Sequence, residues 1–200
     1  MLNDYEDKDF IIDGFKFGFF LHFSGEESPL HSSNSHSTKI HSDIIEKKIN
    51  EELRLGRISG PFNTLQYPNS KISPLAIIPK KEQGKFRLIH NLSYPYDETS
   101  VNSNILSSDS TVQYSSIANA IEHIQACSPN AFMAKSDIAD AFRLIPLHPS
   151  QYHLTGFSWK NSFYYDLCLP MGAASSRKIF EHFSDAIKFV LNKHGKKIYH

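Results

Sequence analysis

The 200-residue chain lacks several features that would assign it to a class at once. It has only two cysteines, Cys127 and Cys168, which give neither a disulfide framework nor the paired spacing of a zinc site. We therefore expect a reducing, intracellular setting, cytoplasmic or nuclear. No apolar run approaches the roughly 20 residues of a membrane span, and the acidic start MLNDYEDKDF is not typical of a secretory or mitochondrial signal. We predict no membrane partner.

The chain also carries no formal net charge. The chain has 21 basic and 21 acidic residues, which gives a formal charge of +0. Any binding to nucleic acid must therefore come from local patches. What is present is a globular composition, 40% hydrophobic and 12% aromatic, and a chain of this size can bury a core.

The first part of the chain predicts an arm, a linker and a helix. Residues 10–23 are rich in phenylalanine with two glycines inside, which favours a short strand or an irregular packed arm. Residues 24–42, rich in Ser, His and Asn, predict a flexible loop, and the histidines there follow no metal-binding motif. A helix is expected from Ser42 or Asp43 to just before Gly56.

Two hairpins follow from alternating apolar segments. The first joins residues 73–80 to 85–92 through a loop that ends in glycine, and the second joins 152–159 to 162–169 through Lys160-Asn161. Strand alternation in the first hairpin predicts one face with Phe86, Leu88, His90 and Leu92, and an opposite face with Lys85, Arg87, Ile89 and Asn91.

The remaining elements are predicted from the composition and the spacing of apolar residues. Residues 93–115 predict a loop, and helices are expected at 116–127 and 175–195. A strand is expected at 131–138, and residues 196–200 resemble the beginning of another.

Three segments could carry chemistry, and each also has a structural interpretation. Asp137, at the expected strand end, is suited to hold Mg²⁺ together with substrate phosphates, but it could equally cap the turn that follows. The first hairpin has a basic tip that could bind phosphate, or simply be solvated. The segment LPMGAASS, residues 169–176, lets backbone approach a ligand closely, or is an ordinary strand-to-helix turn.

The order of these segments resembles the fingers and palm of reverse transcriptases, from about Ile49 to the C-terminus. The resemblance is strongest to the DIRS-like retrotransposons that carry a tyrosine recombinase. The phrases that carry it are GRISGPF (56–62), SPLAIIPKKEQGKFRLIHNLSYP (73–95), SVNSNI (100–105), AKSDIADAFRLIPLHP (134–149) and YYDLCLPMGAASSRKIFEHFS (164–184). DGFKFGF (13–19) is similar to the family's upstream arm.

The resemblance implies an α+β fold: the fingers and partial palm of a right-hand polymerase, with an incomplete antiparallel palm sheet packed on helices. The implied regions are an N-terminal arm and linker (1–42), a fingers-like region with the basic hairpin (43–130) and a partial palm (131–200). The implied partners are an RNA or DNA template with primer and deoxynucleoside triphosphates, and the implied cofactor is a pair of Mg²⁺ ions.

Individual roles follow from the same resemblance. Asp137 resembles the first metal-binding aspartate, with the carbonyl of Ile138 as a neighbouring ligand. Other matched positions contact the nucleotide: Lys80 and Arg87 on the triphosphate, Phe142 as the aromatic steric gate, and Met171 with Gly172 in the turn against nucleotide and template. Because an aromatic wall under the sugar clashes with a 2′-hydroxyl, Phe142 predicts deoxynucleotide use.

One family motif does not occur in these 200 residues. The Tyr–Xaa–Asp–Asp hairpin that supplies further carboxylates should begin after KKIYH, where the sequence stops. We therefore expect a fragment, a truncated element copy or a partial gene model that does not polymerise by itself. Three alternatives stay open: a catalytically inactive nucleic-acid-binding remnant, an RNA-dependent RNA polymerase, and an inert degenerate reading frame.

Overall fold

The computed structural model describes residues 1–127, 129–130 and 132–195. The N-terminal arm begins with helix α1 (Lys8–Phe17), which buries Ile11 and Gly14. The prediction of a strand or irregular arm at 10–23 is therefore wrong for its first half. The packing of Phe19 explains the glycine inside this helix, because a Cβ on Gly14 would lie 2.2 Å from the ring of Phe19.

The predicted linker contains two short elements. Strand β1 (Leu30–His31) and helix α2 (Ser37–Ile40) lie between residues 24 and 42. Helix α3 (Ser42–Arg54) follows and buries Ile45 and Ile49. It ends as predicted before Gly56, whose φ of +67° suits glycine.

The central sheet is mixed and contains, among the described residues, five strands: β1, β2 (Ile58–Phe62), β3 (Lys71–Ile72), β6 (Gly156–Trp159) and β7 (Ser162–Asp166). Their order across the sheet is β1-β3-β6-β7-β2. The pairs β6–β7 and β2–β7 are antiparallel, whereas β1–β3 and β3–β6 are parallel. The sheet is thus mixed and not wholly antiparallel as expected, because β3 runs parallel to both of its neighbours, β1 and β6.

Both predicted hairpins are confirmed. Strands β4 (Leu75–Pro79) and β5 (Phe86–His90) form a separate two-stranded sheet, which we call the basic hairpin. Strands β6 and β7 are joined by Lys160-Asn161, and both of these residues have positive φ, the geometry of a tight hairpin turn.

Two further helices match their predictions. Helix α4 (Ile117–Gln125) is capped by Ser116, and helix α5 (Ser176–Lys193) buries Ile179 and Ala186. Residues 93–115 form a loop with two 3₁₀ turns, Asn102–Asn104 and Ser107–Asp109. Further 3₁₀ turns span Ala141–Leu144 and Pro149–Thr155.

Residues 132–138 have no regular secondary structure, so the strand predicted at 131–138 is wrong over the described residues. The physical reason is the lack of a ladder partner, since no described strand pairs with this segment and an isolated strand is not stable in water. The strand expected at 196–200 lies outside the described residues.

The core consists of two clusters. One joins the arm to α5, and the other lies between α3, the basic hairpin and the β6–β7 hairpin. Members of the first include Phe19, Leu21, Leu92, Ile145, Leu169 and Ile179, and members of the second include Ile45, Ile49, Leu75, Ile77, Trp159 and Tyr164. Among the described residues, no helix is both long and apolar enough to cross a membrane.

Candidate nucleotide site

The basic hairpin carries Lys80 and Arg87 on its outward face. Register pairs Ile78 with Arg87, while Ile77 and Leu88 belong to the face packed on the second core cluster. The backbone N–H of Lys80 donates to the carbonyl of Lys85 at 2.8 Å. Alternation therefore places Lys80, Lys85 and Arg87 on one exposed face. Lys85 forms an ion pair with Glu82, whereas the other two cations have no side-chain partner in the described part of the chain.

Asp137 and Ile138 lie in the irregular segment before the 3₁₀ turn Ala141–Leu144. Asp137 is exposed, and within the described residues its carboxylate makes no hydrogen bond or ion pair. Asp140, three residues on, has a left-handed φ of +52° and accepts a 2.9 Å hydrogen bond from Arg57. The two aspartates are therefore in different environments, and Asp137 is the one left available to a ligand.

Phe142 is half-buried in the same 3₁₀ turn. Its ring meets that of Phe180 edge-on, with centroids 5.6 Å apart, and it packs against the first core cluster. Helix α5 thus supports the ring from one side.

Met171 and Gly172 form the turn before α5, in strongly different settings. Met171 is exposed, while a Cβ on Gly172 would lie 2.1 Å from the carbonyl oxygen of His90. Asn102 fixes this approach, because its side-chain amide donates to the Gly172 carbonyl and its oxygen accepts from the N–H of Ala174, both at 2.8 Å. The turn is therefore held against the C-terminal end of β5.

A buried ion network, which the sequence did not predict, joins these segments. Arg143, next to Phe142, lies 2.7 Å from Asp166 and donates to Glu52 of α3 at 2.8 and 3.0 Å. The other oxygen of Asp166 is 3.1 Å from Nδ1 of His90, whose Nε2 is 3.1 Å from the Gly156 carbonyl. The network links the 3₁₀ turn, α3, β7 and the basic hairpin.

The network also changes proton affinities. Burial alone would raise the pKa of Asp166, but the charge of Arg143 and hydrogen bonding to His90 outweigh it and hold that pKa below its ordinary value. Burial likewise acts to lower the pKa of Arg143, and the carboxylates of Asp166 and Glu52 reverse this, so its pKa is raised. Both groups are charged across the neutral range.

The sequence did contain a signal for this network. Alternation placed His90 on the apolar face of its strand, and Asp166 ends a strand of aromatic residues. A polar side chain at an inward position needs a partner, so two of them on neighbouring hairpins predict an interaction. The sequence gives no comparable signal for Arg143, the partner of Asp166, because Arg143 lies in a turn, where no alternation marks a side chain as inward.

The predicted site residues thus fall into two groups. The network and the Gly172 contact bring the Phe142 turn and the Met171–Gly172 turn to the end of β5. Lys80 and Arg87 extend along the hairpin away from that end, and Asp137 lies on the segment that leads into the Phe142 turn. Among the described residues, no three His, Cys, Asp or Glu side chains are grouped to hold a metal.

No protein-family model and no curated protein sequence matches the chain. Several solved structures are similar to the chain. A prototype foamy virus protease-reverse transcriptase mutant has a TM-score of 0.57 at 22% identity, over 82% of this chain and 20% of that one. A foamy viral protease-reverse transcriptase in complex with RNA/DNA hybrid has 0.57 at 18%, over 89% and 21%.

A third structure, of the foamy viral enzyme in complex with dsDNA, has a TM-score of 0.57 at 17% identity, over 98% of this chain and 40% of that one. At these identities the likeness shows the fold alone. The chain has a reverse-transcriptase-like polymerase fold, and the predicted fold class is confirmed at that level. The chain spans about a fifth of the length of the first two structures.

Proposed function

We propose that the chain is the fingers and first part of the palm of a reverse transcriptase of the DIRS-like group. The complete enzyme would transfer deoxynucleotides to a primer 3′-hydroxyl under the direction of an RNA or DNA template. Residues 1–42 would be the arm, 43–130 the fingers region and 131–200 the partial palm. The observation that carries the proposal is the convergence of the Phe142 turn and the Met171–Gly172 turn on the base of the basic hairpin.

The proposed roles follow this arrangement. Lys80 and Arg87 would neutralise the triphosphate of the incoming nucleotide, since phosphoryl transfer is accelerated mainly by positioning and by cations where charge develops. Phe142 would contact the sugar and exclude a 2′-hydroxyl. Met171 and Gly172 would lie against the nucleotide and template.

The described residues fit a metal only in part. Asp137, with the Ile138 carbonyl, offers the one or two oxygen ligands that suffice for a Mg²⁺ ion held mainly by water and substrate phosphates. They do not supply a two-ion site, because Asp140 is paired with Arg57 and Asp166 with Arg143. Asp137 and the Ile138 carbonyl would hold Mg²⁺ here, and the ion would supply positive charge to the substrate phosphates.

Binding of a fluorescently labelled dATP in the presence of Mg²⁺ tests the proposal. We expect the Lys80→Ala/Arg87→Ala variant to bind at least about tenfold more weakly, because each charged contact to phosphate is worth about 1.5–3 kcal/mol. The matched control is Lys47→Ala/Arg54→Ala, which removes one exposed lysine and one exposed arginine from α3 and should leave the affinity unchanged. Asp137→Asn should remove the Mg²⁺ dependence of binding, and equal affinity in all variants would contradict the proposal.

A catalytically inactive nucleic-acid-binding remnant is the second candidate. It is favoured because Asp140 and Asp166 are both paired with arginines, which leaves Asp137, within the described part of the chain, as the unpaired carboxylate of these three. Template binding that weakens steeply with salt, without Mg²⁺-dependent dATP binding, would support this candidate over the first.

A further inference from the structure

Two exposed tyrosines lie just beyond the basic hairpin and have no role in the site described above. Tyr94 and Tyr96 are 39% and 75% exposed. Their rings meet edge-on, with centroids 5.5 Å apart. Because the two ring planes are nearly perpendicular, at 79°, each ring can offer a flat ligand only its own face, and the pair can take two such ligands.

The pair is held rigidly rather than lying loose on a loop. Tyr96 has a left-handed φ of +68°, which costs roughly 1 kcal/mol or more for a residue with a side chain. Its N–H donates to the Ser93 carbonyl at 2.8 Å, and its hydroxyl accepts from the Asn91 amide at 3.0 Å. The ring therefore keeps a fixed position relative to the hairpin.

The loop that carries the tyrosines is also tied to the Met171–Gly172 turn. The Asn102 amide that donates to the Gly172 carbonyl donates to the Ser93 hydroxyl as well, at 2.8 Å. Gly172 in turn lies against His90, one residue before Asn91. The loop that carries the tyrosines and the Met171–Gly172 turn are therefore both attached at the base of the hairpin.

The cationic face of the basic hairpin leads toward the loop that carries the tyrosines. Alternation from Lys85 through Arg87 and Ile89 leads to Asn91 on the outward face of β5, and Asn91 holds Tyr96. The strand rise of about 3.3 Å per residue sets Arg87 roughly 13 Å from Asn91. A cationic stretch that continues into exposed aromatic rings is the arrangement that binds single-stranded nucleic acid, with phosphates on the cations and bases on the rings.

We propose that Tyr94 and Tyr96 form a stacking platform for unpaired bases of a nucleic-acid strand, the template in the polymerase proposed above. The inference rests on that proposed function for the identity of the strand. The platform selects unpaired bases over duplex, because a base can stack on tyrosine only when its face is free. The phenol hydroxyl of Tyr96 serves to hold the ring and does not read sequence.

The experiment measures binding of labelled 12-nucleotide oligo(U) and oligo(dT) by fluorescence anisotropy at fixed salt. Tyr94→Ala/Tyr96→Ala should weaken binding about fivefold to 100-fold, the range expected for loss of stacked bases. Tyr114→Ala is the matched control, since Tyr114 is also 75% exposed but lies in the loop before α4, and it should bind as the wild type does. Comparison of the two strands shows whether RNA or DNA is preferred.

A second measurement does not depend on the folding of any variant. An abasic strand of the same length should bind the unaltered chain about as weakly as oligo(U) binds the double variant, and a blunt duplex should compete poorly. Equal affinity for abasic and normal strands, equal affinity for duplex, or no binding of any single strand would each overturn the platform. Binding of labelled dATP is measured separately, so the platform can fail while the proposed nucleotide site stands, and the reverse.

Discussion

Asp166 is a buried carboxylate whose charge is balanced by Arg143 at 2.7 Å, and its other oxygen lies 3.1 Å from Nδ1 of His90. Its removal takes from the buried Arg143 one of its two carboxylate partners, the other being Glu52, and a poorly compensated buried charge is more harmful than loss of the attraction itself. We therefore expect Asp166→Ala to lower the free energy of unfolding by about 3–5 kcal/mol, measured by urea denaturation.

Asp140→Asn is the control for that variant, because asparagine tolerates the left-handed φ of +52° at this position and alanine does not. Asp140 also pairs with an arginine, at 2.9 Å, but its side chain is 61% exposed. An exposed pair contributes at most about 1 kcal/mol, so the loss should be small. Equal losses in the two variants would show that burial of the network does not matter.

The same carboxylate predicts a pH dependence. Its folded-state pKa is lower than the unfolded value of about 3.9, so the unfolded chain binds the proton more readily. The stabilisation is present above about pH 4 and is lost as the pH falls through the folded pKa. Asp166→Asn should reduce the acid sensitivity of urea unfolding below pH 4, whereas an unchanged profile would contradict the assigned cause.

For single residues, the sequence predicts the face of a strand on which a residue lies better than it predicts the partner of its side chain. It gave Lys80 and Arg87 a common phosphate-binding role, and the register places them on one exposed face. It indicated no partner for Asp140, which pairs with Arg57, 83 residues away. Pairings at such separation depend on how the elements pack, which a local pattern does not contain.

Among the secondary-structure elements, Gly172 shows how a turn fixes the relation between two segments. A Cβ at this position would meet backbone, the His90 carbonyl at 2.1 Å, and backbone cannot move away as a flexible side chain can. Gly172→Ala should push the turn off the hairpin and lower the free energy of unfolding by about 1–3 kcal/mol, as overpacking does.

Met171→Ala is the matched variant for this prediction. Met171 is the adjacent residue and is 66% exposed, so its replacement should change stability by no more than about 0.5 kcal/mol. Chemical denaturation of the two proteins compares them directly. A neutral Gly172→Ala would mean that the close approach to β5 is not needed for the fold.

The elements that were predicted correctly are those whose sequence pattern lies within one continuous segment. Hairpins and amphipathic helices carry their own pattern, and both hairpins, α3, α4 and α5 followed from sequence. The strand predicted at 131–138 is absent from residues 132–138, because a strand needs a neighbouring strand that its own sequence does not specify. Helix α1 was missed because Gly14 and Gly18 argue against a helix locally, while Gly14 is required by packing under Phe19.

For the whole molecule, resemblance and structure give the same fold by independent routes. Short phrases in order predicted a reverse-transcriptase-like α+β fold, and the foamy virus structures show that likeness at 16–22% identity. The mixed order of the central sheet was not predictable, since β1 and β3 have two residues each. Strands so short leave no periodicity in a sequence.

The central claim is that a metal-bound triphosphate lies between Asp137 and the basic hairpin. Paramagnetic relaxation in the NMR spectrum of the 22.8 kDa chain, with Mn²⁺ and dATP added together, tests it most directly. We predict strong broadening of the backbone signals of Asp137 and Ile138 and weaker broadening at Lys80 and Arg87, all lost in Lys80→Ala/Arg87→Ala. Broadening centred elsewhere, or unchanged in that variant, would contradict the account.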